Sequence, residues 1–358
     1  MSCKISKKRA LLLLLSLCLP LPAFADRARE IDALVQDHFA KGRIHGSVLV
    51  AEKGQVVYKG GVGMADIEWG VPNAPDTKFR LGSITKQFTA ALIMQLVEQG
   101  KVALDVPITT YLTDYRKETG DKVTVHHLLT HTSGIPSYTS EPKFMEEVSR
   151  DPYTVPDFVA KHCSGDLEFE PGSTWRYDNS GYFLLGAIIE IVTGGTYEEA
   201  LRKMLDACGM ADSGYDRHEP ILPKRAEGYE RKDKALVNAG YLDMGLPYAA
   251  GSMYSTVEDL YKWDRALYTD SLLTAASKGT MFTDHKDGYG YGWSVKPMKV
   301  KGVDKEVRTV SHGGGINGFN TLITRDIENE NLVVVLNNAV PSNSESLTRE
   351  VFELLYAE

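Results

Sequence analysis

The stretch Phe79-Arg80-Leu81-Gly82-Ser83-Ile84-Thr85-Lys86-Gln87-Phe88 decides how this chain is interpreted. Apolar residues recur at helical spacing over residues 84–99 and Gly100 ends the run, so we predict a helix that starts at Ser83. Ser83 and Lys86 then share one helix face. A helix N-terminus offers free N–H groups to a developing oxyanion, and the lysine is held near a hydroxyl that it could help to deprotonate.

An S-x-x-K pattern is weak evidence when it stands alone. A serine that only caps a helix, followed by a lysine in solvent, gives the same pattern. The chain contains such a second copy, Ser140-Glu141-Pro142-Lys143. There Pro142 disfavours a regular helical turn and no apolar helical pattern begins.

Two further segments carry polar groups suited to chemistry. Trp175-Arg176-Tyr177-Asp178-Asn179-Ser180-Gly181-Tyr182 follows the turn Pro171-Gly172, precedes a predicted helix over Phe183–Val192, and brings a phenol, a carboxamide and a hydroxyl onto one loop. Thr309-Val310-Ser311-His312-Gly313-Gly314-Gly315-Ile316-Asn317-Gly318-Phe319 runs from a predicted strand into glycines, which let a substrate lie against the backbone. Taken singly, the first could be an aromatic core loop and the second a bare turn.

The three motifs together, in the order S-x-x-K, Y-x-N and H-G-G, are specific. They resemble those of the serine hydrolase family that holds class C β-lactamases, penicillin-binding D-Ala-D-Ala carboxypeptidases and β-lactamase-like esterases. The resemblance extends over most of the chain and includes residues 127–136, 179–186 and 250–255.

The resemblance implies both a fold and a set of site residues. The expected fold is the β-lactamase/transpeptidase-like α/β fold of the α+β type, an antiparallel sheet flanked by helices with an inserted, mainly helical lobe. The implied roles are Ser83 as nucleophile, Lys86 as its activating neighbour, Tyr177 as proton carrier, Asn179 as a substrate-positioning amide, His312, Gly313 and Gly314 as substrate-binding residues, and the N–H groups of Ser83 and Gly315 as the oxyanion hole.

The identity of the general base stays open at this level. A free lysine has a pKa near ~10.4 and a free tyrosine near ~10, so neither is a base at neutral pH unaided. Lowering the pKa of Lys86 to ~7 requires roughly 4–5 kcal/mol of differential solvation. Alternatively, a charged Lys86 stabilises a Tyr177 phenolate. We expect shared duty, and no separate acidic residue is required for deacylation.

The third motif departs from the β-lactamase form, which has Lys-Thr-Gly where this chain has His312-Gly313-Gly314. A lysine there supplies a permanent cation for a substrate carboxylate, whereas histidine is mostly neutral at pH 7. Efficient β-lactamase activity is therefore not expected. The sequence favours a D-Ala-D-Ala carboxypeptidase, a D-aminopeptidase-like peptidase or an esterase; the alternatives are a true β-lactamase or a catalytically idle protein that binds cell-wall peptides.

Neither a metal nor another cofactor is expected. His127 and His131 stand at i, i+4, but no Glu follows His127 and Thr132-Ser133-Gly134 ends any helix, so we interpret them as structural loop histidines. A G-x-S-x-G motif is also absent from the sequence, so an α/β-hydrolase elbow is unsupported.

The order of predicted elements indicates one composite sheet built from both ends of the chain. A sheet lobe would comprise about 26–82 and 280–358, and a helical lobe about 83–279, within a single catalytic domain over 26–358. The elements predicted from apolar spacing are a helix over 29–40, strands Ser47–Val50 and Gln55–Tyr58, a mainly helical middle from Ile84 to Ser277, strands Tyr289–Val295, Thr309–Ser311, Phe319–Thr324 and Leu332–Leu336, and a helix Ser346–Tyr356.

Residues 1–25 are predicted to be a signal peptide, cleaved before Asp26, so that the protein is secreted or periplasmic. An uncleaved anchor and a lipoprotein acylated at Cys18 are the alternatives. Cleavage would remove four basic and no acidic residues, leaving 36 Lys and Arg against 48 Asp and Glu, a net charge of −12. Such an acidic chain is a poor binder of nucleic acid or anionic membrane, so the expected partner is a small-molecule or peptide substrate. Cys163 and Cys208 could pair or remain free thiols.

Overall fold

A computed structural model describes residues 21–233, 235–304 and 306–357 of the 358-residue chain. The predicted signal peptide lies mostly outside the described residues, which begin at Leu21. The α-helices are α1 Leu21–Ala40, α2 Thr85–Glu98, α3 Lys117–Gly120, α4 Val125–Leu129, α5 Val155–His162, α6 Asn179–Thr193, α7 Tyr197–Ala207, α8 Tyr248–Gly251, α9 Val257–Ala266, α10 Ala275–Met281 and α11 Ser344–Tyr356.

The strands lie mainly near the two ends of the chain, as predicted. They are β1 Gly46–Glu52, β2 Gln55–Val62, β3 Met64–Asp66, β4 Val71–Pro72, β5 Phe79–Arg80, β6 Gly214–Tyr215, β7 Tyr229–Lys232, β8 Ala235–Asn238, β9 Met253–Ser255, β10 Thr309–Ile316, β11 Phe319–Asp326, β12 Asn331–Asn337 and β13 Ala339–Val340.

The main sheet joins the N-terminal and C-terminal strands. In the described part of the chain its order is β10-β11-β12-β1-β2, and every neighbouring pair is antiparallel. The register across the junction of the two chain ends pairs Gly46 with Asn337 and Ala51 with Leu332. The predicted fold class, an antiparallel sheet completed from both termini and flanked by helices, is therefore confirmed.

Both faces of this sheet are covered. Val48 and Val50 belong to one buried cluster, whereas Leu49 and Ala51 belong to another, because successive strand residues face opposite sides. The smaller cluster packs under α1 and α11, and the larger one joins the sheet to α9 and the helical middle of the chain. Each fully buried Val or Leu contributes about 1.5–3 kcal/mol, so the two clusters hold the helices against the sheet.

Helices α2 and α6 form the centre of the helical region. α2 is buried on nearly every side, and α6 is strongly apolar along most of its length. The Asp178 side chain caps α6 by accepting the Gly181 N–H, and Gly194 ends the helix with a φ of 69°. The two helices contact each other and both begin close to the residues that the motifs singled out.

Three predicted elements differ from the structure. The strand predicted over Tyr289–Val295 is wrong: this segment is a loop with only isolated bridges, and its Gly292 lies so close to α2 that a Cβ there would be 2.6 Å from the Lys86 carbonyl oxygen. β10 does not stop at Ser311 but continues to Ile316. α1 begins at Leu21 rather than near residue 29.

The middle of the chain also contains short strands that apolar spacing did not reveal. β5, β9 and β6 form one small sheet, and β7 pairs with β8 and β13 in another. Among the residues that the structure describes, every helix is too short or too polar to traverse a lipid bilayer.

Candidate active site

Ser83 lies where a short strand turns into the central helix. β5 pairs with β9, and the Leu81 N–H donates to the Met253 carbonyl at 2.8 Å. Gly82 has a φ of 56° and begins a 3-10 turn that runs directly into α2. Because the left-handed conformation at Gly82 favours glycine, the sequence Leu-Gly-Ser produces this sharp entry and leaves Ser83 partly exposed at the helix start.

Lys86 is completely buried and makes three hydrogen-bond contacts. Its Nζ lies 3.1 Å from Ser83 Oγ, 2.8 Å from Asn179 Oδ1 and 2.9 Å from the Ala250 carbonyl oxygen. Carbonyl and amide oxygens only accept, so those two contacts use two Nζ–H groups. In the neutral amine the remaining position is a lone pair, and it faces the Ser83 hydroxyl.

The environment of Lys86 favours that neutral amine. Burial lowers the pKa of Lys86 to about 7, and the Asp178 carboxylate opposes this shift. The Tyr177 and Tyr182 rings lie 4.8 Å and 5.4 Å from Nζ. Those ring faces can stabilise the ammonium that forms once the amine has taken a proton. Lys86 is therefore poised to accept and release one proton near neutral pH.

Tyr177 lies beside the same pair of residues. The Lys86 ammonium position lies over its ring, and burial raises the pKa of the Tyr177 phenol well above its usual range, an effect that the nearby Ser83 hydroxyl opposes only in part. Tyr177 is accordingly a protonated phenol at neutral pH. The predicted convergence of Ser83, Lys86 and Tyr177 is present in the structure.

Asn179 is the first residue of α6 and is held at both ends of its amide. Its Oδ1 accepts from Lys86, and its Nδ2 donates to Thr139 Oγ1 at 3.0 Å. Its backbone N–H donates to Ser137 Oγ at 3.0 Å, and that hydroxyl lies 2.9 Å from Thr139 Oγ1. These contacts fix which way the amide faces, so Oδ1 points at the lysine and Nδ2 toward the cleft.

The glycines of β10 allow this strand to lie directly against the Ser83 turn. A Cβ at Gly314 would be 1.9 Å from the Leu81 carbonyl oxygen, and a Cβ on Gly82 would be 3.0 Å from the Gly315 nitrogen. The Gly315 backbone therefore lies close to the residue that precedes Ser83. The assignment of the Ser83 and Gly315 N–H groups to an oxyanion hole stays a prediction, and this closeness is consistent with it.

His312 lies on β10 with its ring turned into the protein. It is only 7% exposed. Its Nδ1 contacts the Gly313 carbonyl oxygen at 2.6 Å, so Nδ1 carries the proton, and Nε2 accepts from the Tyr289 hydroxyl at 2.8 Å. Burial and nearby Lys86 lower its pKa to about 3, and the ring is neutral. A role for His312 in holding substrate thus stays a prediction, since both ring nitrogens are engaged within the protein.

A small cavity of about 150 Å³ opens beside Ser83. Its described lining residues are apolar or neutral: Gly82, Ser83, Tyr138, Thr139, Phe144, Met145, Asn179, Leu242, Leu246, Pro247, Ala250, Gly251, Gly315, Ile316 and Asn317. None of these side chains carries a charge. A larger cavity of about 600 Å³ lies between α5, α6 and residues 112–116, and none of the predicted site residues lines it.

The other residues that the sequence analysis considered, two histidines, two cysteines and the second S-x-x-K copy, lie outside the lining of the cavity beside Ser83. His127 caps α4 together with Thr124, whereas His131 is buried against the Tyr177 ring. Cys163 and Cys208 are both free thiols. The second S-x-x-K copy forms no regular helical turn, since a 3-10 turn ends at Ser140 and Lys143 has a φ of 63°.

Sequence reasoning missed several residues of the site. Thr139, Tyr289 and the Ala250 carbonyl all contact predicted site residues, but only Ala250 belongs to a segment that the motifs had marked. Thr139 lies in a segment without a periodic signal, and Tyr289 lies in a segment that apolar spacing wrongly predicted to be a strand.

Comparison with known proteins places these features in a family. The Beta-lactamase family model matches residues 31–358. A putative penicillin-binding protein, PbpX of Bacillus subtilis strain 168, is 29% identical over 318 residues, which are 87% of this chain and 75% of that protein. Esterase EstB of Burkholderia gladioli is 33% identical over 210 residues, 55% of this chain and 53% of the esterase.

A solved structure has the same fold as this chain. A D-amino acid amidase from Ochrobactrum anthropi SV3, complexed with D-phenylalanine, superposes with a TM-score of 0.76 at 26% identity, covering 92% of this chain and 98% of that one. The resemblance read from the three motifs is thereby confirmed. The family model spans almost the whole described chain, and the protein therefore belongs to the Beta-lactamase family and is a hydrolase of the superfamily of β-lactamases, D,D-peptidases and esterases.

Proposed function

We propose that this serine hydrolase cleaves small esters and D-amino-acid amides or peptides through an acyl-enzyme on Ser83. The observation that carries the proposal is the set of contacts around Lys86. Two carbonyl-type oxygens occupy two of its N–H groups, and the third contact is the Ser83 hydroxyl. An amine held in this way can take a proton from the Ser83 hydroxyl, the one proton donor among these three contacts.

Acylation follows from this geometry. The Ser83 O–H proton passes to Lys86 Nζ while Oγ forms a bond to the substrate carbonyl carbon. The N–H groups of Ser83 and Gly315 hold the resulting oxyanion. When the tetrahedral intermediate collapses, the bond to the leaving group breaks and the departing oxygen or nitrogen receives a proton.

Tyr177 is suited to deliver that proton. Its phenol stays protonated and its ring packs against Lys86 Nζ, so it can donate a proton to the leaving group and then recover one from the Lys86 ammonium. In deacylation the same groups work in reverse: Lys86 takes a proton from water, the hydroxide attacks the acyl carbon, and Ser83 leaves with a proton.

The lining of the cavity disfavours substrates that carry a carboxylate. Its described lining includes aromatic and aliphatic side chains and no cation. A substrate with a free carboxylate next to the scissile bond would lose hydration there without gaining an ion pair. This favours short-chain esters and D-amino-acid amides over carboxylate-bearing D-Ala-D-Ala peptides and β-lactams. The esterase and the D-amino acid amidase among the similar proteins are consistent with that choice.

A labelling experiment tests whether Ser83 reacts. Purified wild type is treated with a fluorescent fluorophosphonate and, separately, with a fluorescent penicillin. We expect the fluorophosphonate to label wild type and Ser140→Ala, the matched serine of the second S-x-x-K copy, and to leave Ser83→Ala unlabelled. If neither probe labels wild type, the protein is an idle binder of cell-wall peptides.

A substrate panel then decides between the candidate activities. We expect turnover of short-chain p-nitrophenyl esters and D-amino-acid amides, and weak or no turnover of nitrocefin. A faster rate on D-Ala-D-Ala peptides than on esters and amides would favour a carboxypeptidase, and fast nitrocefin hydrolysis would favour a β-lactamase.

We also propose that the protein acts outside the cytoplasm, because residues 1–25 have the pattern of a secretory signal. Mass spectrometry of the protein expressed with its full N-terminus tests this. The expected mature chain begins at Asp26, and an intact N-terminus or a lipid on Cys18 would contradict it.

A further inference from the structure

His131 contacts the chain on both sides of Tyr177. Its backbone carbonyl accepts the Arg176 N–H at 2.9 Å, and its Nδ1 accepts the Asp178 N–H at 3.2 Å. The His131 and Tyr177 ring centroids are 4.3 Å apart. His131 therefore binds the backbone N–H groups of the residues before and after Tyr177 and also packs against the Tyr177 ring.

The backbone of His131 is in an unusual conformation. Its φ is 58°, in the left-handed region that non-glycine residues rarely adopt. This conformation accompanies the two hydrogen bonds to the Tyr177 loop.

The hydrogen bonds fix the protonation state of the ring. Because Nδ1 accepts from a backbone N–H, the proton of neutral His131 is on Nε2, which is buried and has no polar partner among the described residues. The titratable groups that face the ring are Tyr177, Tyr182, Tyr289, Asp178, Lys86 and His312. Burial lowers the pKa of His131, so the ring stays neutral at physiological pH.

A protonated ring would not hold the loop in the same way. Nδ1–H would repel the Asp178 N–H, and the Asp178 carboxylate, 3.8 Å away, would become its acceptor. The loop would then lose the bond on the C-terminal side of Tyr177. The hydrogen bond from the Asp178 N–H to Nδ1 therefore gives His131 a role beyond filling space.

We propose that His131 is the positioning residue for Tyr177: by binding the peptide groups of Arg176 and Asp178, it holds the phenol over Lys86 and next to Ser83. The inference rests on the proposed hydrolase function. His131 touches neither the nucleophile nor the cavity beside it, so it acts on the reaction through Tyr177.

Two substitutions separate this role from simple packing. His131→Asn places an amide oxygen near the position of Nδ1 and tolerates a positive φ. His131→Leu keeps similar bulk without an acceptor. With a short-chain alkyl ester, whose departing alkoxide must be protonated, we expect kcat of the leucine variant to fall by about 10²-fold at a nearly unchanged KM, and the asparagine variant to keep most of the wild-type kcat.

A double-mutant cycle with Tyr177→Phe provides the decisive readout. If His131 acts through the phenol, His131→Leu will lower kcat much less in the Tyr177→Phe background than in wild type. An equal loss in both backgrounds, or an asparagine variant as impaired as the leucine variant, would overturn the inference. Should the leucine variant fail to fold, His131→Gln, whose amide falls nearer the Nε2 position, takes its place with the same expected loss.

The outcomes distinguish failure of the proposed role of His131 from failure of the proposed hydrolase function. Wild type that neither hydrolyses an ester nor reacts with a fluorophosphonate would overturn both. An active wild type whose His131 variants show no selective loss of kcat would overturn only the role of His131.

Discussion

Lys86 Nζ lies 3.1 Å from Ser83 Oγ, and its other two hydrogen bonds end on oxygens that can only accept. Of the three groups that these contacts place against Lys86 Nζ, only the Ser83 hydroxyl can give a proton to the neutral amine. The two residues lie at the start of one buried helix, so their separation is set by backbone geometry rather than by flexible loops. The proposed activation of Ser83 depends on this short distance.

Replacing Lys86 should abolish most of the activity. Lys86→Met keeps the length of the side chain but removes the proton acceptor, and kcat/KM for an ester should fall by about 10²–10⁴-fold. Lys143→Met, in the second S-x-x-K copy, is the matched control and should retain wild-type activity. Comparable losses in the two variants would show that the loss of activity is not specific to Lys86.

Activity should depend on pH with a break near neutrality. Only the neutral amine can accept a proton, so kcat/KM should fall about tenfold per unit below a pH of about 7 and level off above it. His312, whose pKa is about 3, does not titrate in this range. A flat profile from pH 5 to pH 9 would mean that Lys86 is not the group that activates Ser83.

The lowered pKa of Lys86 should also make the free energy of unfolding depend on pH. The pKa of Lys86 is about 7 when folded and near 10.5 when unfolded, so between these values the unfolded chain binds one more proton. The free energy of unfolding of wild type should therefore rise relative to that of Lys86→Met by roughly 1 kcal/mol per pH unit between pH 7 and pH 10. Urea titrations of both proteins measure this, and parallel pH curves would contradict the lowered pKa.

Thr139 should matter for the orientation of Asn179. Thr139→Val keeps the shape of the side chain but removes the acceptor for Nδ2, which normally lies 3.0 Å from Oγ1. Loss of one hydrogen bond of about 1 kcal/mol should lower kcat/KM about fivefold. Thr139→Ser, which keeps the hydroxyl, should restore it, and a serine variant as weak as the valine variant would argue against the bond.

Two neighbouring glycines of β10 should respond very differently to alanine. A Cβ on Gly314 would lie 1.9 Å from the Leu81 carbonyl oxygen, whereas a Cβ on Gly315 meets nothing within 4 Å. Gly314→Ala should therefore lower the free energy of unfolding by about 3 kcal/mol or more, and Gly315→Ala by less than about 1 kcal/mol. Similar melting temperatures for the two variants would show that β10 does not lie as closely on the Ser83 turn as described.

The sequence predicted the parts of this molecule that depend on local patterns. The S-x-x-K spacing predicted that Ser83 and Lys86 face each other, because three residues bring side chains together on any helix. The alternating and continuous apolar runs at both ends of the chain predicted the sheet. Family resemblance added Tyr177 and Asn179, whose approach to Lys86 no local rule could have shown.

What the sequence did not reveal depends on contacts between distant segments. The segment Tyr289–Val295 has the composition of a strand, yet it bends over α2 at Gly292 and uses Tyr289 to bind His312. The sequence indicated only a structural loop histidine at His131. The structure shows that this residue accepts hydrogen bonds from the backbone N–H groups on either side of Tyr177. Side-chain orientation across such long separations is set by packing, which periodicity does not encode.

Titration of Lys86 by NMR tests the central claim most directly. Protein labelled with ¹³C at the lysine Cε carbons is followed from pH 5 to pH 11, and the Lys86 signal is assigned from its loss in Lys86→Met. We predict that the Lys86 signal titrates near pH 7, well below the usual range of a lysine side chain. A Lys86 signal that titrates above about pH 9 would contradict the claim that a neutral amine accepts the Ser83 proton.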